Sequence, residues 1–250
     1  MSKKSDRSAA GSPQSGGAGS WFATSNSPSQ WQTLLSQVAA RFNREYRQEA
    51  LNFPEEVEAM PIFRELVAGT LTAKTASPFW QVAKPLKNQR CLDIGCGVSF
   101  LIYPWREWDA YFYGQEISEV AQEGLNARGP QLNSKLFKGV ELAPAHQLRY
   151  EAAQFDLAIA TGFSCYFPLE YWTEVMGEVK RVLKPGGDFV FDLLNPEAPL
   201  AEDWAILETY RGAEVFLEAV ADWEKLIKAI GAKVVKRQSG ELFDLYKVRF

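Results

Sequence analysis

An acid and two alternating glycines close a short apolar run at Cys91-Leu92-Asp93-Ile94-Gly95-Cys96-Gly97-Val98-Ser99-Phe100. An extended segment of that composition ends in a tight turn and runs into a helix. Glycine has no Cβ, so the backbone of such a turn can come close to a ligand. This is the arrangement of a nucleoside-cofactor site at the carboxyl end of a parallel strand. A dinucleotide fingerprint needs a third glycine where this chain has Phe100, and a phosphate-gripping loop needs a G-K-[ST] that is absent.

Glu116 lies 23 positions past Asp93, at the end of Ala110-Tyr111-Phe112-Tyr113-Gly114-Gln115-Glu116, which reads as a second strand. A carboxylate about 20 residues after a glycine turn is the usual acceptor for a ribose diol in nucleoside-binding α/β folds. Ser118 is then placed to cap a helix over Glu119–Ala127, which Gly129-Pro130 should end. Further on, Gln154–Thr161 reads as a buried strand. Apolar residues at Leu169, Trp172, Val175, Met176, Val179, Val182 and Leu183 have helical spacing, and Lys184-Pro185-Gly186-Gly187 separates that helix from a strand over Asp188–Leu194.

These three stretches, D-x-G-x-G, the strand-end acid, and F-D-L followed by a helix and R-V-L-K-P-G-G, resemble in order the core of the class I S-adenosylmethionine-dependent methyltransferases. The resemblance covers roughly residues 88–250. It implies an α/β fold with a doubly wound, seven-stranded, mostly parallel sheet of order 3-2-1-4-5-7-6, the last strand antiparallel, preceded by N-terminal helices. It implies S-adenosylmethionine as cofactor. Asp93 would hold the ammonium of its methionine end, with Gly95, Gly97 and Thr161 as backbone neighbours. Glu116 would take the ribose, and Ile117 the adenine face. The family often has a third glycine where this chain has Ser99. The acid that meets the adenine amino group falls in Lys138–Leu148, where one alignment offers Pro144 and another Glu141; Glu141 is favoured, with Gln147 or backbone groups as substitutes.

No triad is expected, because methyl transfer is an in-line displacement in which the cofactor brings the electrophile and the protein positions the reactants. Tyr166, just past the fourth strand, is the candidate to orient an acceptor hydroxyl, with a packed aromatic as the plainer reading. His146, the sole histidine, falls on the adenine side rather than at the transfer centre. The segment after Thr161 contains no N-P-P-Y-type motif of the kind used on nucleic-acid bases or glutamine. The function expected is methyl transfer to a small-molecule acceptor; the alternatives are a protein methyltransferase, or a catalytically inactive methyltransferase fold that serves as a binding module.

The remainder of the chain fits around this core. At 250 residues, 46% apolar and 13% aromatic, it has material for one α/β domain. A net charge of −4 does not suggest a nucleic-acid partner, and no apolar run approaches the length of a transmembrane segment. Three cysteines without paired spacing, and one histidine, suggest neither a disulfide framework nor a metal cluster, and favour a reducing, cytoplasmic compartment. Residues 1–26, rich in Ser, Gly and Ala, read as a disordered tail; organelle import through that Ser-rich segment is the alternative. Residues 27–87 read as a helical cap. Ser27-Pro28-Ser29-Gln30 forms a capping box, and Trp31, Leu34, Leu35, Val38, Phe42 and Tyr46 share one face of a helix. After Asn195, a polar and aromatic stretch with Trp204 and Tyr210 leads to a helix over Phe216–Ile230 and a terminal hairpin, Lys233–Arg237 with Leu242–Phe250.

Overall fold

The computed structural model describes residues 30–75, 79–101, 103–133 and 135–250. The reading of residues 1–26 as a tail, and of Ser27–Ser29 as part of a capping box, lies outside them. Short helices precede the sheet: α1 (Gln32–Tyr46), α2 (Glu55–Glu58), α3 (Pro61–Val67), α4 (Leu71–Thr75) and α5 (Phe79–Ala83). Strands and helices then alternate: β1 (Arg90–Ile94), α6 (Trp105–Trp108), β2 (Tyr111–Glu116), α7 (Glu119–Asn133), β3 (Phe137–Leu142), β4 (Phe155–Ala160), α8 (Leu169–Val182) and β5 (Leu183–Leu194). The chain closes with α9 (Ala201–Arg211), α10 (Val220–Ala229), β6 (Lys233–Gln238) and β7 (Phe243–Arg249).

The strands form one seven-stranded sheet in the order β3-β2-β1-β4-β5-β7-β6, as the resemblance implied. β1 pairs in parallel with β2 and β4, and β4 with β5. β7 runs antiparallel to both of its neighbours, β5 and β6. Both faces are covered, so apolar residues of the central strands point to both sides of the sheet rather than to one. Leu157, Ile159 and Val190 pack with Phe79 of α5 and Leu125 of α7, while Ala158, Ala160, Phe189 and Phe191 pack with α8 and α10. Trp172 is fully buried on that second face, its ring 5.3 Å from that of Trp223 and stacked 6.2 Å from Phe191. Full burial of a side chain of that size stabilises by about 2–3 kcal/mol.

Three local features depart from the sequence reading. α7 continues to Asn133 with Pro130 inside its last turn, so Gly129-Pro130 does not end it. The missing N–H of Pro130 removes one late rung of the helix. Ser118 caps that helix as expected, its Oγ accepting the Ala121 N–H at 3.1 Å. α8 passes into β5 without a separate loop, and Lys184–Gly187 bulges out of the β4–β5 pairing between Phe155↔Leu183 and Leu157↔Asp188. Residues 201–211, read as a polar and aromatic stretch, form α9, closed by Gly212 in the left-handed conformation at φ 99°.

Candidate active site

The carboxyl ends of β1, β2, β4 and β5 open into a cavity of about 660 Å³. That edge of a parallel α/β sheet is where ligands bind. Its floor is the turn after β1. Gly95 and Gly97 both have left-handed backbone, φ 66° and 49°, which only glycine adopts without strain. Both are also hemmed in by side chains. A Cβ on Gly95 would lie 2.8 Å from the Phe163 ring, and one on Gly97 would lie 2.6 Å from the Tyr46 hydroxyl. Packing against Phe163 therefore requires glycine at 95, independently of any ligand.

Glu116 sits beside that turn, buried, on the cavity wall. Its Oε2 accepts the Gly97 N–H at 2.8 Å, and its Oε1 accepts the N–H groups of Ile117 at 2.9 Å and Ser118 at 2.8 Å. Burial pushes its carboxyl up, against the pull of these three N–H groups. Oε1 has both lone pairs engaged, and Oε2 keeps one. Ile117 and Thr161 line the cavity. Asp93 lies behind this surface. It is buried on β1, takes a hydrogen bond from Tyr103, and leaves Oδ2 with no partner. Burial holds its carboxyl well above the usual range.

Glu141 does not join this group. It is exposed on β3, outside the cavity lining. Strand alternation explains this: β3 extends through Leu142, and Glu141 points away where Val140 points in. On that side the lining comes from Ala143 and Ala145. Gln115 holds the loop, donating from Nε2 to the Pro144 carbonyl at 2.8 Å and accepting the Arg149 N–H at 3.1 Å. His146 is half-buried off the cavity, 3.4 Å from the Tyr171 hydroxyl, and burial lowers its pKa.

Tyr166 lines the cavity, but its hydroxyl is committed, donating to Oε2 of Glu208 at 2.8 Å. Toward a further group it can act only as an acceptor. Glu208, on α9 and 0% exposed, also takes Nε and Nη2 of Arg41 at 2.8 and 3.1 Å and Nη1 of Arg211 at 2.8 Å. Burial alone would raise its carboxyl, yet Arg41, Arg211 and Tyr166 hold it below the usual range. Sequence reasoning missed this network. Its signal was a charge, Arg41, within the apolar face of α1. Asp192, fully buried in the apolar run of β5, was missed likewise; both its oxygens accept the Gly162 N–H, at 2.9 and 3.0 Å, fixing the turn after β4.

α1 roofs the cavity. Phe42 and Tyr46 face it, with rings stacked 6.1 Å apart, and Phe42 meets Tyr166 edge-on at 5.5 Å. The helix is fixed at several points: Trp31 Nε1 to Glu174 on α8 at 3.0 Å, Arg41 to Glu208 on α9, and Asn43 Oδ1 receiving the Ser118 hydroxyl at 2.7 Å at the start of α7. Trp80, Phe167, Trp204 and Phe243 add an aromatic lobe to the lining. Among the described residues, no group of three His, Cys, Asp or Glu side chains is placed to hold a metal ion, and no helix is long and apolar enough to cross a membrane.

Residues 92–191 match the family model of a methyltransferase domain. Over 110 residues the chain is 32% identical to the sterol 4-C-methyltransferase strm-1 of Caenorhabditis elegans, covering 44% of this chain and 32% of that protein. Over 178 residues it is 26% identical to the biotin biosynthesis bifunctional protein BioHC of Saccharophagus degradans, covering 70% of this chain and 29% of that protein. The chain thus spans about a third of the length of these curated relatives. Among solved structures, a geranyl diphosphate C-methyltransferase of Streptomyces coelicolor A3(2) superposes with a TM-score of 0.63 at 11% identity, over 89% of this chain and 99% of that one. The magnesium protoporphyrin IX methyltransferase of Synechocystis PCC 6803 gives a TM-score of 0.56 at 16% identity, over 86% of this chain and 96% of that one.

Proposed function

On the premise that the chain has the class I S-adenosylmethionine-dependent methyltransferase fold, we propose that it transfers a methyl group from that cofactor to a small molecule. The observation that carries this reading is the continuity of one cavity from the Gly95–Gly97 turn and Glu116 to an aromatic lobe closed over by α1. A cavity of about 660 Å³ is in the range of small-ligand sites. The relatives whose names mention sterol, geranyl diphosphate and porphyrin acceptors support the small-molecule class.

The residues present fit the cofactor. Asp93, behind the cavity wall, keeps a buried carboxyl oxygen without a partner, which suits an ammonium group held through a water. Glu116 keeps one lone pair on Oε2, which suits a ribose hydroxyl. Ile117 and Ala143 offer apolar surface for the adenine, and Thr161 flanks the turn after β4. When bound, S-adenosylmethionine supplies a methyl group activated on a sulfonium. The protein's share is to hold acceptor and donor in line and to exclude water. The first task falls to Tyr166, Phe167 and Trp204, the second to α1 and the rings of Phe42 and Tyr46. In this reading residues 27–87 are the cap and 88–250 the catalytic unit. The three buried free thiols, Cys91, Cys96 and Cys165, support a cytoplasmic setting.

Calorimetry with S-adenosylhomocysteine tests the cofactor assignment. Incubation of a metabolite extract with methyl-labelled cofactor, followed by mass analysis, tests transfer. Saturable binding and one labelled small-molecule product are expected; absence of binding in the folded protein overturns the reading.

A further inference from the structure

We propose that the outer end of the cavity is an anion site, in which Arg44, with Arg41 and Arg211, takes the carboxylate or phosphate head of an amphipathic acceptor. The proposal rests on the methyl-transfer reading for the word acceptor; the anion site itself rests on geometry. Arg41, Glu45 and Arg211 line the main cavity and also a smaller pocket of about 150 Å³ on its outer side. The smaller pocket adds Arg44, Glu49 and Leu51. The three side chains common to both therefore form a partition between an aromatic chamber and an arginine-rich vestibule.

The charges in that partition do not balance. Arg41 pairs with Glu208 and Glu45, and Arg211 pairs with the same two carboxylates. Arg44 makes no ion pair among the described residues. It donates from Nη2 to the Arg211 carbonyl at 2.7 Å, and its Nε is buried with no partner. Glu49, the other acid of the vestibule, is engaged by Arg47 at 3.6 Å. Arg41 and Arg211 thus share two carboxylates, and Arg44 has neither. A half-buried guanidinium with an unsatisfied N–H is costly in isolation, and an oxyanion satisfies it in the fork geometry that guanidinium favours.

The site is built rather than incidental. A Cβ at position 212 would collide with Nη2 of Arg44, so the left-handed Gly212 that ends α9 also makes room for that guanidinium. The two carboxylates are not equivalent. Glu208 is fixed by Arg41, Arg211 and Tyr166 and is 0% exposed; Glu45 sits in the last turn of α1 with its side chain 41% exposed. Glu45 is the carboxylate that an incoming anion replaces, since its side chain, unlike that of Glu208, regains water on leaving. An acceptor with an aromatic or apolar body and one anionic end then fits both compartments, body against Trp204 and Phe243 and head at Arg44.

The test uses the full chain and simple probes: phenylacetate, phenyl phosphate and the neutral phenylacetamide, each titrated by calorimetry with and without S-adenosylhomocysteine. The two acids are expected to bind and the amide to bind far more weakly, and the stronger of the acids identifies carboxylate or phosphate as the natural head. Arg44→Gln is expected to weaken acid binding roughly ten- to hundred-fold, the loss of one charge-assisted contact. It should leave S-adenosylhomocysteine affinity unchanged, which also reports that the variant folds. Should it not fold, Arg44→Lys keeps the charge without the fork and is expected to bind phenylacetate more weakly than the native protein. Equal binding of acid and amide, no binding of either acid, or undiminished acid binding by the folded variant overturns the proposal. If the acids bind but S-adenosylhomocysteine does not, the methyl-transfer reading fails and the anion site stands.

Discussion

Asn43 Oδ1 accepts the Ser118 hydroxyl at 2.7 Å and also the Val120 N–H at 3.3 Å, so a side chain of the roof helix helps cap the helix that follows the ribose-side strand. Ser118 Oγ in turn accepts the Ala121 N–H. The two helices are thereby joined beside Glu116, where the cavity wall meets its roof. Asn43→Ala removes that join and leaves the Ser118 cap. We expect a loss of about 1 kcal/mol in unfolding free energy, and a drop in S-adenosylhomocysteine affinity larger than that stability change alone explains. Unchanged affinity in calorimetry would show that α1 does not close the cofactor end.

Glu116 accepts three backbone N–H groups. Glu116→Ala strands all three in a buried site, whereas Glu116→Gln keeps an acceptor for some of them. The alanine variant is therefore expected to melt lower than the glutamine variant, and both to bind S-adenosylhomocysteine about ten- to hundred-fold more weakly than the native chain. Native affinity in either folded variant removes Glu116 from the ribose site.

Arg41 and Glu208 form a buried pair, side chains 3% and 0% exposed. Breaking such a pair from one side leaves an uncompensated charge and costs about 3–5 kcal/mol, while replacing both partners by apolar groups of similar size costs far less. Arg41→Met and Glu208→Leu should each lower the denaturant midpoint strongly, and the double variant should recover part of the loss. Strictly additive losses would mean that the two charges are not coupled.

The pH dependence of stability has two opposed contributions. Burial raises the Asp93 and Glu116 carboxyls, so the folded protein binds protons that the unfolded chain has released. Stability from these groups is therefore present below about pH 4 and is lost as pH rises toward their folded values. Glu208 is depressed, so its contribution is present above its ordinary value and lost as pH falls through the folded one. Asp93→Asn removes the larger raised group. Without ligand, that variant is expected to melt above the native protein at pH 8, with the gap closing near pH 4. It should bind S-adenosylhomocysteine more weakly. A melting difference independent of pH refutes the assignment of a raised carboxyl to Asp93.

What was legible in the chain was periodic. α8 carries apolar residues at helical spacing from Trp172 to Val182, and all of them are buried. Leu157–Ala160 of β4 and Phe189–Phe191 of β5 are unbroken apolar stretches, and both strands lie in the middle of the sheet. The glycine turn and Glu116 were legible because spacing along a βαβ unit becomes proximity in space: the Gly97 N–H reaches Glu116. Polar groups placed inside apolar faces were not legible. Arg41 and Glu208 are buried charges within α1 and α9, and the residues of α9 read only as a polar and aromatic stretch. Their partners lie 167 positions apart, and no local pattern links them. Glu141 misled for the opposite reason. It lies near the expected place, but β3 runs on through it to Leu142 and alternation turns its side chain outward.

That separation of 167 positions between Arg41 and Glu208 bears on how the molecule is made. Chains emerge from the ribosome from the amino end, and contacts distant in sequence form after local ones. β1 to β5 can assemble while α9 is still unmade, but α1 then has neither Glu208 nor the Arg211 carbonyl to dock on. Until residue 211 has been made, α1 can reach Glu174 and Ser118 but not the buried partner of Arg41, so the strongest tie of the roof is the last to form.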